Sequence, residues 1–111
     1  MLPKSRRLNL KKSFKWVASG KKKESAFFKV FFKSGTNTKP LIGVAISGSL
    51  YKKAHERNQA RRAAYQAILS IYPSLPKNLN LVIMPKAGIL DKTTDLLAQD
   101  LKNVQTGFTN N

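Results

Sequence analysis

The segment Lys52-Lys53-Ala54-His55-Glu56-Arg57-Asn58-Gln59-Ala60-Arg61-Arg62 concentrates more chemistry than any other stretch of the chain. Read as a helix, it stacks Arg57 on Arg61 and Asn58 on Arg62, because residues four apart share a face. Guanidinium forks match phosphate oxygens in a way that an ammonium does not. Like charges stacked this way cost an isolated helix about 0.2 to 0.5 kcal/mol per pair, and a bound phosphate backbone removes that cost. A second set lies upstream: Phe27, Lys29, Phe31 and Lys33 fall on one face of an alternating stretch, preceded by Phe14 and Trp16. Aromatics interleaved with lysines suit an unpaired nucleic-acid strand, since every base offers a π face and every link a phosphate. The competing role for Phe27 and Phe31 is a small core under an N-terminal helix carrying Phe14 and Val17, and the two roles can coexist.

Side-chain catalysis has little support. His55 is the only imidazole, and a solvent-facing or phosphate-facing place suits it better than a general acid's role. Asp91, Asp95 and Asp100 belong to a C-terminal helix region where capping and solvation account for them better than metal binding does. The chain has no cysteine, so disulfides and thiolate metal sites are excluded. Lys39-Pro40-Leu41-Ile42-Gly43 does not match a phosphate-cradling glycine loop.

These side chains belong to a chain of 111 residues with 21 Lys or Arg, 5 Asp or Glu and a net charge of +16. That length makes one domain with a modest core, and 41% hydrophobic residues is too many for a disordered basic tail. The charge is unevenly placed: 17 of the basic residues lie in residues 1–62, against Glu24 and Glu56 alone, whereas residues 63–111 are almost neutral. Such a chain opposes its own compaction unless a polyanion offsets the repulsion, so the first half reads as a nucleic-acid surface and the second as its support. No apolar run is long enough for a membrane span and no signal-peptide core is present, which points to a soluble protein of the cytoplasm that does not bind membranes.

The elements that would position these residues follow from periodicity. Leu10, Phe14 and Val17 recur at helical spacing before Gly20, and Ser19 to Lys23 reads as a basic loop. Residues 26–33 alternate as a strand, with Phe28, Val30 and Phe32 opposite the Phe27, Lys29, Phe31 and Lys33 face. Leu41 to Ser47 is a second strand; Ile42, Val44 and Ile46 form its apolar face, while Gly43, Ala45 and Ser47 leave a shallow trough on the other. From Tyr51 to Tyr72 the pattern is helical, with Ala60, Ala64, Ala67, Ile68 and Ile71 on one stripe and Arg61, Arg62, Asn58, His55 and Tyr65 on the opposite side. Leu79 to Met84 is a buried strand, and Asp91 or Thr93 caps a last helix bearing Leu97, Leu101 and Val104. Residues 1–5 and 106–111 are expected to be flexible. The fold class is therefore α+β, a two-layer domain with about four strands in the order α-β-β-(β)-α-β-α.

With these residues in place, the chain resembles the protein subunit of bacterial ribonuclease P. The resemblance rests on Arg7-Leu8 with Phe14 six residues on, the strand Ile42-Gly43-Val44-Ala45-Ile46-Ser47, and above all the arginine helix. Family members carry an Arg-Asn-Arg-x-x-Arg-like core there, preceded by an Ala and a basic pair. This sequence departs from the pattern at Gln59, where a second Arg is usual, and at Tyr65, where another Arg is common. Gly48-Ser49 replaces a usual Lys pair, and Ala18 stands where an aromatic is frequent.

The resemblance implies a ribosomal protein S5 domain 2-like fold and a place in an endoribonuclease that removes the 5′ leader of precursor tRNA. It also implies that the RNA subunit carries the catalysis, with Mg²⁺ held mainly by the RNA and no cofactor bound by the protein alone. The catalytic RNA would meet Lys52, Lys53, Arg57, Asn58, Arg61 and Arg62. The leader would run past Phe14, Trp16, Phe27, Lys29, Phe31 and Lys33, with the Gly43 and Ala45 trough beside it. No obligate protein partner is implied. The alternative is a ribosomal or ribosome-assembly RNA-binding protein without a leader cleft, and a DNA-binding helix ranks below both because dimer signals are absent.

Overall fold

The computed structural model describes residues 4–105 and Phe108. After a 3₁₀ turn at Lys4–Arg6, the chain forms α1 (Leu10–Ala18), β1 (Lys21–Glu24), β2 (Phe28–Ser34), β3 (Leu41–Val44) and α2 (Ala54–Leu69). A second 3₁₀ turn, Tyr72–Ser74, leads into β4 (Leu79–Pro85) and α3 (Thr94–Gln105). The four strands make one sheet in the order β1-β2-β4-β3, antiparallel except for the β3–β4 pair. That pair is parallel because α2 carries the chain across between its strands.

Each face of the sheet is covered differently. On one, Phe28, Val30 and Phe32 of β2, Ile42 of β3, and Leu79, Leu81 and Ile83 of β4 are fully buried against α2 and α3. The alanines Ala60, Ala64 and Ala67 are fully buried too, which lets α2 lie close to the strands. On the other face a smaller cluster of Leu8, Val17 and Val82 gathers Leu10, Phe14, Phe31, Leu41, Ala45 and Met84 at its edges. β4 is apolar nearly throughout because it serves both clusters from the middle of the sheet.

The caps are local. The Asn9 side chain accepts from Lys12 N–H at 3.3 Å to start α1, and Thr93 Oγ1, not Asp91, accepts from Leu96 N–H at 3.2 Å ahead of α3.

Several expectations change. The basic run Lys21-Lys22-Lys23 is not a loop: it is the edge strand β1, completing the fourth position of the sheet. Edge strands rich in lysine resist pairing with other chains, which suits this composition. Asp100 is neither a cap nor solvated. It is buried, and its carboxylate accepts from the Ser25 hydroxyl and from the backbone N–H groups of Ala26 at 3.1 Å and Phe27 at 2.9 Å. The α3 helix thereby clasps the connection between β1 and β2. Tyr65 lies on the covered side of α2, not with the exposed arginines. Of the terminal segments expected to be flexible, residues 1–3, 106, 107 and 109–111 lie outside the described residues; Phe108, by contrast, is fully buried with its ring edge-on to Phe32 at 5.0 Å.

Candidate nucleic-acid interface

The N-terminal half of α2 forms the first basic surface. Lys52, Lys53, Asn58 and Arg62 are exposed, and Arg57 and Arg61 are half-buried. No side chain caps the helix at Lys53, so the positive end of the helix dipole adds to the two lysines. The arginines are organised more tightly than helical spacing alone implies. Arg57 Nη1 donates to the carbonyls of Tyr51 at 3.0 Å and Lys52 at 2.9 Å, tying down the segment that leads into the helix. Arg61 Nη1 donates to Asn58 Oδ1 at 3.0 Å, so the Asn holds this guanidinium in place. Arg57 thus positions the helix start and keeps its other guanidinium donors for a ligand, while Arg62 projects freely from the exposed face.

Two further arginines, which periodicity could not place, come from the N-terminal arm. Leu8 N–H donates to the Ile42 carbonyl at 2.9 Å, and Arg7 pairs with Ile42 as a parallel bridge, so the N-terminal arm runs along the outer edge of β3. There the Arg6 guanidinium stacks 4.7 Å over the Tyr72 ring. Burial pushes the Tyr65 phenol above its ordinary range, opposed by the charges of Arg7 and Arg61. Tyr65, expected among the exposed residues, is covered because it packs into the larger core. The only sequence signal was Arg7-Leu8 itself, which gives no ladder partner.

The second surface is the face of the sheet under α1. Cross-strand register puts Lys22 beside Phe31, Glu24 beside Lys29, Lys29 beside Met84, and Lys33 beside Asn80, so all of these share one face. α1 crosses it at the middle, where the Phe14 and Phe31 rings meet edge to face at 6.4 Å. The small core considered for these aromatics exists, and both rings remain partly exposed at its rim. At one end Trp16 is 42% exposed, with Lys33 Nζ 5.0 Å over its ring and bonded to Ser19 Oγ at 3.2 Å.

Two expected features of this face are different. Phe27 precedes β2 and packs with the larger core on the opposite side, where Lys92 Nζ stands 5.9 Å above its ring. The Asp100 clasp on the Phe27 N–H turns the backbone out of the strand's alternation, so Phe27 does not join Lys29, Phe31 and Lys33. The trough at Gly43 is also filled. A Cβ built there would lie 2.6 Å from Leu10 Cδ2, so α1 occupies the space that the missing side chain leaves. Open volume lies further along, in a cleft of about 400 Å³ lined by Glu24, Lys29, Ser47, Ser49, Leu50, Met84, Pro85 and Lys86. Its floor is apolar and its rim carries lysines and hydroxyls, a combination that accepts a base and its phosphate.

Among the described residues, no three His, Asp or Glu side chains gather as a metal ion would need. No helix there is long and apolar enough to cross a membrane.

Comparison with known proteins places this geometry. The Ribonuclease P family pattern matches residues 2–108. The ribonuclease P protein component of Chlamydia muridarum is 32% identical over 106 residues, covering 93% of this chain and 87% of the relative. Among solved structures, the RNase P protein from Thermotoga maritima superposes with a TM-score of 0.80 at 20% identity, covering 91% of this chain and 96% of that one. The RNase P protein of Staphylococcus aureus gives a TM-score of 0.74 at 18% identity, covering 91% and 93%. These structures share the α+β fold with its four-stranded mixed sheet and three helices.

Proposed function

Since the chain belongs to the ribonuclease P protein family, the protein component of an endoribonuclease that partners the RNase P RNA, we propose that its two basic surfaces divide the labour of tRNA 5′ maturation. The α2 surface docks on the catalytic RNA, and the face under α1 holds the single-stranded leader of precursor tRNA. The observation that carries this reading is the separation of the two surfaces: one presents forked arginines on a rigid helix, the other lysines and partly exposed aromatics along a sheet.

On the first, Lys52, Lys53, Asn58, Arg61 and Arg62 contact phosphates of the folded RNA, with Arg57 steadying the helix start. On the second, Phe14 and Phe31 offer ring edges and faces, Trp16 offers a stacking surface beside Lys33, and Lys29 neutralises the strand's backbone. The RNA carries the cleavage, with Mg²⁺ held mainly by the RNA; the protein's part is to bind and orient. Residues 1–111 act as one RNA-binding domain in the cytoplasm, where precursor tRNA is processed.

The test assembles the full chain with its RNase P RNA and compares binding of precursor tRNA with that of mature tRNA. The protein should favour the precursor and lower the Mg²⁺ concentration needed for its cleavage. A protein that neither binds the RNA nor changes the Mg²⁺ requirement would overturn the reading. Indifference of precursor binding to changes at Phe14 or Phe31 would favour a structural RNA-binding role without a leader cleft.

A further inference from the structure

Glu24 is one of only two acidic residues in the first 62, and it sits among three lysines. Its Oε1 lies 3.8 Å from both Lys22 Nζ and Lys29 Nζ, and its Oε2 lies 3.6 Å from Lys86 Nζ. These lysines come from three different parts of the chain. Lys22 is two residues away on the same face of β1, Lys29 is the cross-strand partner of Glu24 on β2, and Lys86 follows β4. Lys86 is held at several points: its Nζ donates to the Ser25 carbonyl at 2.8 Å, its N–H to the Phe27 carbonyl at 2.9 Å, and its own carbonyl accepts from the Tyr51 hydroxyl. Glu24, Lys29 and Lys86 of this group line the open cleft. Across it, Ser47 and Ser49 share a hydroxyl–hydroxyl hydrogen bond of 2.8 Å, and Met84, Pro85 and Leu50 supply apolar surface between them.

Three ammonium groups around one carboxylate leave an excess of two positive charges, centred where an anion already sits. We propose that this is a phosphate seat held by the protein's own carboxylate. Glu24 keeps Lys22, Lys29 and Lys86 converged in the free protein, and a backbone phosphate of the bound single strand takes its place while the adjoining base enters the apolar cleft. The proposal rests on the leader-binding reading above and adds to it a specific subsite and a residue that sets its strength. Glu24 is exposed, so its release into water on exchange costs little desolvation. Its presence makes leader binding weaker and less salt-dependent than the lysines alone would give, because each phosphate entering must displace an ion pair already formed.

The experiment uses the full chain assembled with RNase P RNA, and measures affinity for precursor tRNA and for mature tRNA across a salt series. Glu24→Gln should tighten precursor binding by about threefold to fivefold, the scale of exposed ion pairs, and leave mature tRNA unchanged. The salt slope for the precursor should steepen by about 0.7, the value for one phosphate of a single strand. Adding Lys29→Ala or Lys86→Ala to Glu24→Gln should cancel the gain. Asp91→Asn removes the same charge from a carboxylate that faces Lys92 alone, and should give no leader-specific gain. Glu24→Thr, a good strand residue, serves the same measurement if the Gln variant lowers the folding midpoint.

Unchanged precursor affinity in the folded Glu24 variants overturns the seat, and so does an equal gain from Asp91→Asn, which would mark a general charge effect. If Phe14→Ala and Phe31→Ala still weaken precursor binding in that case, the leader reading stands and only the seat fails. If they too have no effect, the leader reading itself fails.

Discussion

Strand β2 puts phenylalanines on both sides of one sheet, and the two sides have different fates. Phe28 and Phe32 are fully buried against α2 and α3, Phe32 also meeting Phe108, and lie deep in a core drawn from the whole chain. Phe31 points the other way, touches Phe14 edge-on and stays partly exposed beneath α1. The same residue type on adjacent positions of one strand is thus sealed in the core on one face and left partly exposed on the other. The difference lies in the cover. Two long helices close the first face, whereas a nine-residue helix crosses only the middle of the second. A surface that must admit a ligand is drawn from the thinly covered side, where fewer apolar contacts have to be given up.

Substitutions can test how cleanly the two faces separate. Phe32→Ala should produce the largest effect, a loss of about 3 to 5 kcal/mol of folding stability from the cavity left in a dense core. Chemical denaturation would read it, and the protein that remains folded should still bind RNA. Asp100→Ala should cost about 2 to 3 kcal/mol, because the Ala26 and Phe27 N–H groups lose a charged acceptor. A protein as stable as the parent would show that this clasp is dispensable and would leave the displacement of Phe27 without its cause. Phe31→Ala should reverse the balance. It should weaken precursor binding by about 1 to 2 kcal/mol, the lower part of the range for a stacking aromatic, and affect folding less than Phe32→Ala does. Equal losses of stability at Phe31 and Phe32 would erase the contrast.

Smaller effects probe the arginine surface and the buried phenols. Arg62→Ala should leave stability within about 0.5 kcal/mol and flatten the salt dependence of binding to RNase P RNA by roughly one phosphate contact. Arg57→Ala should in addition lower stability, since its guanidinium holds the Tyr51 and Lys52 carbonyls. The pH dependence at the alkaline end comes from Tyr51, Tyr65 and Tyr72, whose phenols burial raises above the usual value. An acid whose pKa is raised by folding stabilises the folded state fully below its unfolded pKa of about 10. That contribution disappears as pH rises through the higher folded values. Stability should therefore fall above that unfolded value, and phenolate absorbance should appear with unfolding rather than before it.

Much of this architecture was legible from periodicity. The alternation Phe28-Lys29-Val30-Phe31-Phe32-Lys33 has a period of two, and the stripe Ala60, Ala64, Ala67 and Ile68 has the period of a helix; both appear where the pattern puts them. Lys29, Phe31 and Lys33 share a face, and Asn58 and Arg62 are exposed. The residues misread share a different cause. Lys21 to Lys23 form a strand because β2 is there to pair with, not because lysine favours strands. Phe27 leaves its face because a carboxylate 73 residues away binds its N–H. Tyr65 is covered because it packs into a core drawn from distant segments, and the Gly43 trough is filled because Leu10 reaches across from another element.

The sequence by itself determined the partner's chemistry, through 21 basic residues set against 5 acidic ones and gathered in the first 62 positions. It also determined which residues alternate and which share a helical stripe, since those patterns are written within a few residues of one another. Only the tertiary structure decided what lies next to what. It laid Arg6 over Tyr72 and Arg7 along β3, turned Arg57 toward backbone carbonyls, and gathered Lys22, Lys29 and Lys86 around Glu24. Register, strand order and cover are set by pairing between distant segments, and neither propensity nor local periodicity records which segments those are.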